Sequence, residues 1–255
     1  MSETNVPKRD PYADIHNICE HYREYNYIDP SAYERYNVKR GLRNPDGTGV
    51  MAGVTNICNV HGYYVQDGER IPAPGKIYYR GIDLEDIVSN IIRENRYGFE
   101  EVCYLLLFGQ LPTADQLAVF QSLLSEFSNL PANFAEDVIM RTPSNNLMNM
   151  LGRSILALYS YDPNPEDNDV ENIVRQSIQL IARMPAIMVA AYQVKRRAFD
   201  HKSMYFHQPK KEFSIAQNIL RTMRADKQFT EEEAHMLDLC LVMHAEHGGG
   251  NNSTF

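Results

Sequence analysis

The residues with the most chemical potential run together in one segment, His244-Ala245-Glu246-His247-Gly248-Gly249-Gly250-Asn251-Asn252-Ser253-Thr254. Two histidines fall on the final turn of an amphipathic helical pattern, three glycines stop it, and short polar side chains follow. Helix residues three and four apart share a face, so Cys240, His244 and His247 project along one side. Leu237 and Leu241 flank them toward the interior. The negative end of the helix dipole favours a cationic, hydrogen-bond-donating side chain there. Gly248 to Gly250 allow positive φ and close backbone approach, and Asn251, Asn252, Ser253 and Thr254 add donors without charge. The combination suits a small, oxygen-rich anion.

Other chemistries compete for the same residues. Two histidines can simply finish a helix. Cys240, His244 and His247 offer a thiolate and two imidazoles to a metal, but the spacing is unusual for zinc and a fourth ligand is not evident, so no metal site is assigned. His-Gly-Gly-Gly also occurs in the oxyanion loops of lipase-like hydrolases. Those need a Gly-x-Ser-x-Gly elbow between strand and helix, which this sequence lacks. No Lys-Ser or Lys-Thr follows the glycines, which argues against a phosphate loop.

The elements that position this segment read as mainly α, with a small antiparallel β patch near residues 50–80. Residues 1–40 form an amino-terminal helical segment, polar and tyrosine-rich over 10–40, with helical spacing over Asp10–Tyr25 and a second short helix from Pro30, for which Asp29-Pro30-Ser31 supplies a cap and a first-turn proline. Residues 41–81 make the β patch. Its strands are expected at Val50–Ile57, at Gly62-Tyr63-Tyr64-Val65, and at Lys76-Ile77-Tyr78-Tyr79 returning after an Asp67-Gly68 turn. Residues 82–255 form the helical large domain. Asp83 opens its first helix, with Glu85 and Asp86 at the positive dipole end. An apolar helix runs from Phe99 to Phe108 and stops at Gly109. Capping boxes at Thr113 and Thr230 open two more, the first running to about Leu130. Ser144 is expected to cap a helix through Leu158, which Asp162-Pro163-Asn164-Pro165 breaks. A long helix from Asp169 should kink at Pro185. Lys195–Lys211 is basic and irregular, and Glu212–Arg224 is helical.

Composition narrows the function. The chain has 255 residues, 44% of them hydrophobic, and a net charge of −8. Nucleic acid and anionic membrane both call for a basic field, so neither is the expected partner. The four cysteines are scattered, with no Cys-x-x-Cys pair, and read as reduced, mostly buried thiols. No early apolar run resembles a signal peptide, and no stretch reaches the roughly 20 apolar residues of a membrane span. A soluble cytoplasmic protein is expected.

Several segments, taken in order, resemble the citrate synthase family. Gly41-Leu42-Arg43 with Gly53-Val54-Thr55 resembles the family's opening strands. Ile77-Tyr78-Tyr79-Arg80-Gly81-Ile82-Asp83-Leu84-Glu85-Asp86-Ile87 resembles its Tyr-Arg-Gly-(Tyr/Ile) strand-to-helix junction. Phe99-Glu100-Glu101-Val102-Cys103-Tyr104-Leu105-Leu106-Leu107-Phe108-Gly109-Gln110-Leu111-Pro112-Thr113 and Leu180-Ile181-Ala182-Arg183-Met184-Pro185-Ala186-Ile187 are similar to two further signatures. The histidine segment resembles the family's His-Ala-Asp-His motif, with Glu246 in place of the commoner aspartate.

The resemblance implies a multi-helical large domain and condensation of acetyl-CoA with oxaloacetate to give citrate and CoA. No cofactor is implied, because acetyl-CoA is a substrate, and a homodimer is. It implies that His247 binds oxaloacetate, that Asn251 joins it and that His244 supports it. The family's catalytic histidine and aspartate and its carboxylate-binding arginines are expected beyond Phe255. On this reading the chain is the amino-terminal part of a citrate synthase, lacks the small domain, and is inactive alone. A naturally short binding or dimerising relative, a methylcitrate synthase acting on propionyl-CoA, and a helical metal-binding protein are the alternatives. Helices built to pack on an absent half would expose apolar surface, so self-association or low stability is expected.

Overall fold

The structure, a computed structural model, describes residues 29–35, 56–67 and 69–246. The expectations for Asp10–Tyr25, for residues 50–55, and for His247 and Asn251 lie outside the described residues. The chain divides into two compact units, residues 1–54 with Phe255, and residues 55–254. In the first, a short helix α1 spans Ser31–Arg35. Asp29 Oδ1 accepts from Ser31 N at 2.9 Å, and Pro30 stands in the turn just before the helix.

The second unit opens with an antiparallel sheet of order β1 (Cys58–Gln66), β2 (Glu69–Tyr79), β3 (Ile82–Asp83). Asn56 and Ile57, expected in a strand, form a bend, and pairing starts at Cys58 opposite Tyr79. The first hairpin closes with Gln66 opposite Glu69, and Asp67 takes a left-handed φ of 53°. A register shift between His61 and Tyr63 bends β1. β2 tolerates Pro72 and Pro74 because β3 pairs with Tyr78 and Tyr79, leaving the prolines where, among the described residues, β2 has a single neighbour.

Helices follow. Asp83 caps α2 (Leu84–Glu94) by accepting from Glu85 N. α3 (Phe99–Phe108) stops at Gly109, whose φ is 84°. α4 (Ala114–Phe127) begins with the Thr113–Gln116 capping box. A π-helical turn, Ala135–Met140, precedes α5 (Leu147–Leu158). The cap of α5 is Asn146 rather than Ser144. Asn146 Oδ1 accepts from Asn149 N at 3.0 Å, while Ser144 Oγ accepts from Asn146 N and so shapes the approach. α6 (Val170–Phe199) starts at Asp169 and remains helical through Pro185. Proline has no N–H, so the Ile181 carbonyl lacks its usual partner there. The basic stretch is irregular only after α6 ends. α7 (Ile215–Met223) starts later than Glu212 because Ser214 and Gln217 form a capping box. α8 (Glu231–Met243) starts at the Thr230–Glu233 box.

Three apolar clusters hold these elements. One joins Tyr79, Ile87, Ile91, Val102, Leu105 and Val242. A second joins Phe134, Met150, Ile187 and Val194, and a third Cys103, Phe120, Leu124 and Ile178. α8 differs from the expectation. Its buried face is Ala234, Asp238 and Val242, spaced by four residues. Leu237 and Leu241 are half-buried and Cys240 is exposed, whereas Cys58 and Cys103 are buried. An acid holds the central inward position, and its partners explain why. Among the described residues, no helix is long and apolar enough to cross a membrane.

Candidate functional site

The turn after α8 is built by contacts from far away in the chain. The last carbonyls of a helix have no partner within it. Here Tyr79, the last residue of β2 and fully buried, supplies one. Its hydroxyl lies 3.0 Å from Val242 O, 3.0 Å from Glu246 O and 3.4 Å from Met243 O. It also accepts from Glu246 N at 3.3 Å. One phenolic proton is shared among carbonyls that converge on it, so the peptide from Val242 to Glu246 wraps around a single oxygen. Burial pushes the Tyr79 phenol above its ordinary value, which keeps it a neutral donor.

The residues after Tyr79 explain how it is aimed. Tyr79 pairs with Ile82 across a two-residue turn, with Arg80 at φ 50° and Gly81 at φ 86°. Positive φ at both central positions is the turn whose twist suits a hairpin. Arg80 adopts it against steric preference, at about 1–2 kcal/mol, and its guanidinium offsets that. Nε and Nη2 donate to Leu106 O at 3.0 and 2.6 Å, and Nη1 donates to Asn56 Oδ1 at 2.7 Å. Leu106 lies in the last turn of α3, so Arg80 ties off that helix while Tyr79 ties off α8.

Asp238 fixes the other end of the arrangement. Its carboxylate accepts from Gly98 N at 2.7 Å and Phe99 N at 3.3 Å. It thereby caps α3, whose own N-cap residue, Gly98, has no side chain to do so. A Cβ at 98 would lie 2.1 Å from Ile91 Cδ1, so a larger residue there must displace that side chain. Glu100, in the first turn of α3, accepts from Ile215 N at 2.7 Å and so caps α7. Burial pushes both acids above their ordinary values, against the pull of the amides they bind. α3, α7 and α8 are thus cross-linked by two interior carboxyl groups.

Of the residues expected at the site, His244 is described. It is the C-cap of α8 rather than a member of its last turn, and it is exposed. Its Nδ1 lies 2.8 Å from Cys240 O. A carbonyl can only accept, so Nδ1 carries a proton and Nε2 is left as the ring's outward nitrogen. His247 and Asn251 lie outside the described residues. In the sequence His247 follows directly on the peptide that Tyr79 holds, and Asn251 comes after the three glycines. Among the described residues, no group of three or more His, Cys, Asp or Glu side chains could hold a metal ion. Sequence reasoning missed Tyr79 and Asp238 as site-building residues. The signal for Asp238 was present as an acid spaced by four from Ala234 and Val242.

Comparison with known proteins gives one family throughout. The family model described as citrate synthase, C-terminal domain, matches residues 44–255. The chain is 28% identical over 222 residues to 2-methylcitrate synthase 1 of Corynebacterium glutamicum, covering 86% of this chain and 51% of that protein. It is 31% identical over 216 residues to the citrate synthase of Acidithiobacillus ferridurans, covering 83% and 50%. Its fold matches that of the Thermoplasma acidophilum citrate synthase, solved as a ternary complex with carboxymethyl coenzyme A and oxaloacetate. There the TM-score is 0.63 at 21% identity, over 80% of this chain and 47% of that one. The chain spans about half the length of the curated relatives it matches.

Proposed function

The chain belongs to the citrate synthase family, and from that premise we propose that its polypeptide serves the condensation of acetyl-CoA with oxaloacetate, contributing the oxaloacetate side of the site. The observation that carries this reading is the anchored turn. Tyr79 holds the peptide from Val242 to Glu246, and the next residues are His247, three glycines and Asn251. In the proposed mechanism His247 donates to the oxaloacetate carbonyl, polarising it for attack, and Asn251 adds an uncharged donor. His244 supports the turn through Cys240 O and keeps an imidazole nitrogen facing outward. Donors held rigid before substrate arrives stabilise the charge that develops on the carbonyl oxygen more than mobile ones do. The groups that would remove the acetyl-CoA methyl proton are not assigned to any described residue. We therefore propose that these 255 residues bind oxaloacetate but do not turn over alone.

The relatives include both citrate and 2-methylcitrate synthases, so propionyl-CoA is the second acyl donor to test. Calorimetry of oxaloacetate binding, paired with thiol release from acetyl-CoA and propionyl-CoA, separates the parts of the proposal. Saturable oxaloacetate binding, lost in His247→Ala, with no thiol release supports it. Turnover by the pure chain would overturn the non-catalytic part, and absence of oxaloacetate binding would overturn the site. Self-association into a homodimer is also proposed. It is supported by Met148, Leu156 and Val170, which are 74%, 77% and 72% exposed. Sedimentation at micromolar concentration tests it, and a monomer throughout would count against it.

A further inference from the structure

The polar side of α6 carries more positive charge than its neighbours neutralise. Asn172, Arg175, Gln176, Gln179 and Arg183 recur at three- and four-residue spacing, so they share one face of the helix. Asp162, in the segment between α5 and α6, supplies the carboxylate there. Its Oδ1 accepts from Arg175 Nη2 at 2.7 Å and from Asn164 N at 2.9 Å, and its Oδ2 accepts from Gln176 Nε2 at 3.1 Å. Both of its oxygens are engaged. Arg175 is fixed further by Asn172 Oδ1, which accepts from its Nε at 3.1 Å. Arg183 has no ion pair among the described residues. Its Nη1 reaches Gln179 Oε1 at 3.5 Å, and Arg175 Nη1 donates to that same oxygen at 3.0 Å. Two guanidinium groups therefore converge on one neutral amide oxygen, with a single carboxylate serving both. Arg183 Nε is buried without a partner. Its Nη2 makes no hydrogen bond either but is not enclosed, and both arginines are half-buried rather than sealed off. Burial and the nearby Arg175 hold the Arg183 guanidinium below its ordinary value. A half-buried charge without a counter-charge is costly, and an anion from outside would remove that cost.

We propose that Arg175 and Arg183 form a binding site for an oxyanion, a phosphate or carboxylate group, which takes the place of the Gln179 amide oxygen between the two guanidinium groups. Arg183 supplies Nη1 and Nη2, and Arg175 supplies Nη1 while Asp162 keeps its Nη2. Guanidinium forks match the oxygens of both groups, and such charge-assisted hydrogen bonds are among the stronger ones. None of these residues belongs to the turn after α8, so the site is additional to the one proposed for oxaloacetate.

Calorimetry of the full 255-residue chain tests this, with inorganic phosphate and acetate titrated separately at constant ionic strength, without oxaloacetate or CoA. At least one should bind saturably. Tighter binding of phosphate identifies phosphate-bearing ligands, and tighter binding of acetate identifies carboxylates. Arg183→Gln removes the unpaired charge and should weaken binding at least about tenfold, the worth of one hydrogen bond to a charged group. Gln179→Glu places a built-in carboxylate four residues from each arginine, so it should abolish binding and raise the melting temperature. Because it adds a partner rather than removing one, it keeps the test decisive if Arg183→Gln fails to fold. His247→Ala should leave the binding unchanged. No saturable binding of either anion, binding undiminished in Gln179→Glu or in folded Arg183→Gln, or binding lost in His247→Ala would each overturn the proposal.

Discussion

The Tyr79 hydroxyl can be removed with almost nothing else changed. Phe fills the same volume, so Tyr79→Phe opens no sizeable cavity in the cluster with Ile87, Ile91, Val102, Leu105 and Val242. What it deletes is one donated hydrogen bond, shared by Val242 O and Glu246 O at 3.0 Å each, and one accepted from Glu246 N at 3.3 Å. At a net worth of about 1 kcal/mol each, the loss is about 2 kcal/mol. For a chain of this size that lowers the melting temperature by roughly 4–8 °C. Urea unfolding followed by far-ultraviolet circular dichroism should show a lower midpoint with an unchanged slope. Hydrogen exchange should show the Glu246 amide losing protection before the amides of α3, because the end of α8 is released while the core stays packed. A stability change below about 0.5 kcal/mol, together with unaltered exchange at Glu246, would refute the claim that this oxygen organises the turn.

Gly98→Ala should destabilise by about 1–3 kcal/mol, since its Cβ meets the side chain of Ile91, which is 2% exposed, and must displace it. Thermal unfolding checks this, and the double change Gly98→Ala with Ile91→Val should recover part of the loss. Asp238→Ala leaves Gly98 N and Phe99 N without an acceptor, and the loss of a cap of this kind is worth about 0.5–2 kcal/mol. Asp238→Asn, which keeps an acceptor, should lose less, and equal losses would contradict the capping role. Glu100 predicts a pH dependence. Its folded value is raised above the ordinary 4.5, so it remains protonated where the unfolded chain has already released its proton. Its contribution is therefore complete below about pH 4 and is lost as pH rises toward the folded value. Glu100→Gln should match the native chain at pH 4 and exceed it in stability at pH 8, as read from urea midpoints. A gain of the same size at both would contradict the assignment.

Much of the helical frame was legible because its signals are local. Thr113 with Gln116, Thr230 with Glu233, and Asp83 before its helix each carry their own cap. Phe99–Phe108 is bounded by two glycines. The long helix through Pro185 was legible as well, since its apolar spacing resumes beyond the proline. The Ser214–Gln217 box was written just as plainly but was masked by charged neighbours at 210–212. Asn146 displaced Ser144 because two capping residues stood close together and spacing alone does not choose between them. The histidine segment stood out in the sequence by its composition, but the construction of the turn that leads into it did not. Nothing local to Tyr79 says that its hydroxyl meets residues 163 to 167 positions later. Nor does an acid on an otherwise apolar face announce which helix it caps. The family resemblance marked Tyr79-Arg80-Gly81 as a junction, and the structure supplies its work, which is to close the ends of α3 and α8 together.

The Tyr79 contact also has a consequence in time. Its two halves lie 163 residues apart in the chain, so at a synthesis rate of roughly 5–20 residues per second the hydroxyl waits on the order of ten to thirty seconds for its carbonyls to be made. Through that interval the hairpin, α3 and every helix up to α7 can begin to settle, but the histidine turn cannot. The segment proposed to meet substrate thus acquires its shape only after the hairpin and the helices that precede it have been made. A nascent chain that has gone astray earlier offers α8 no finished junction to close on, so the arrival of the turn reports on everything synthesised before it.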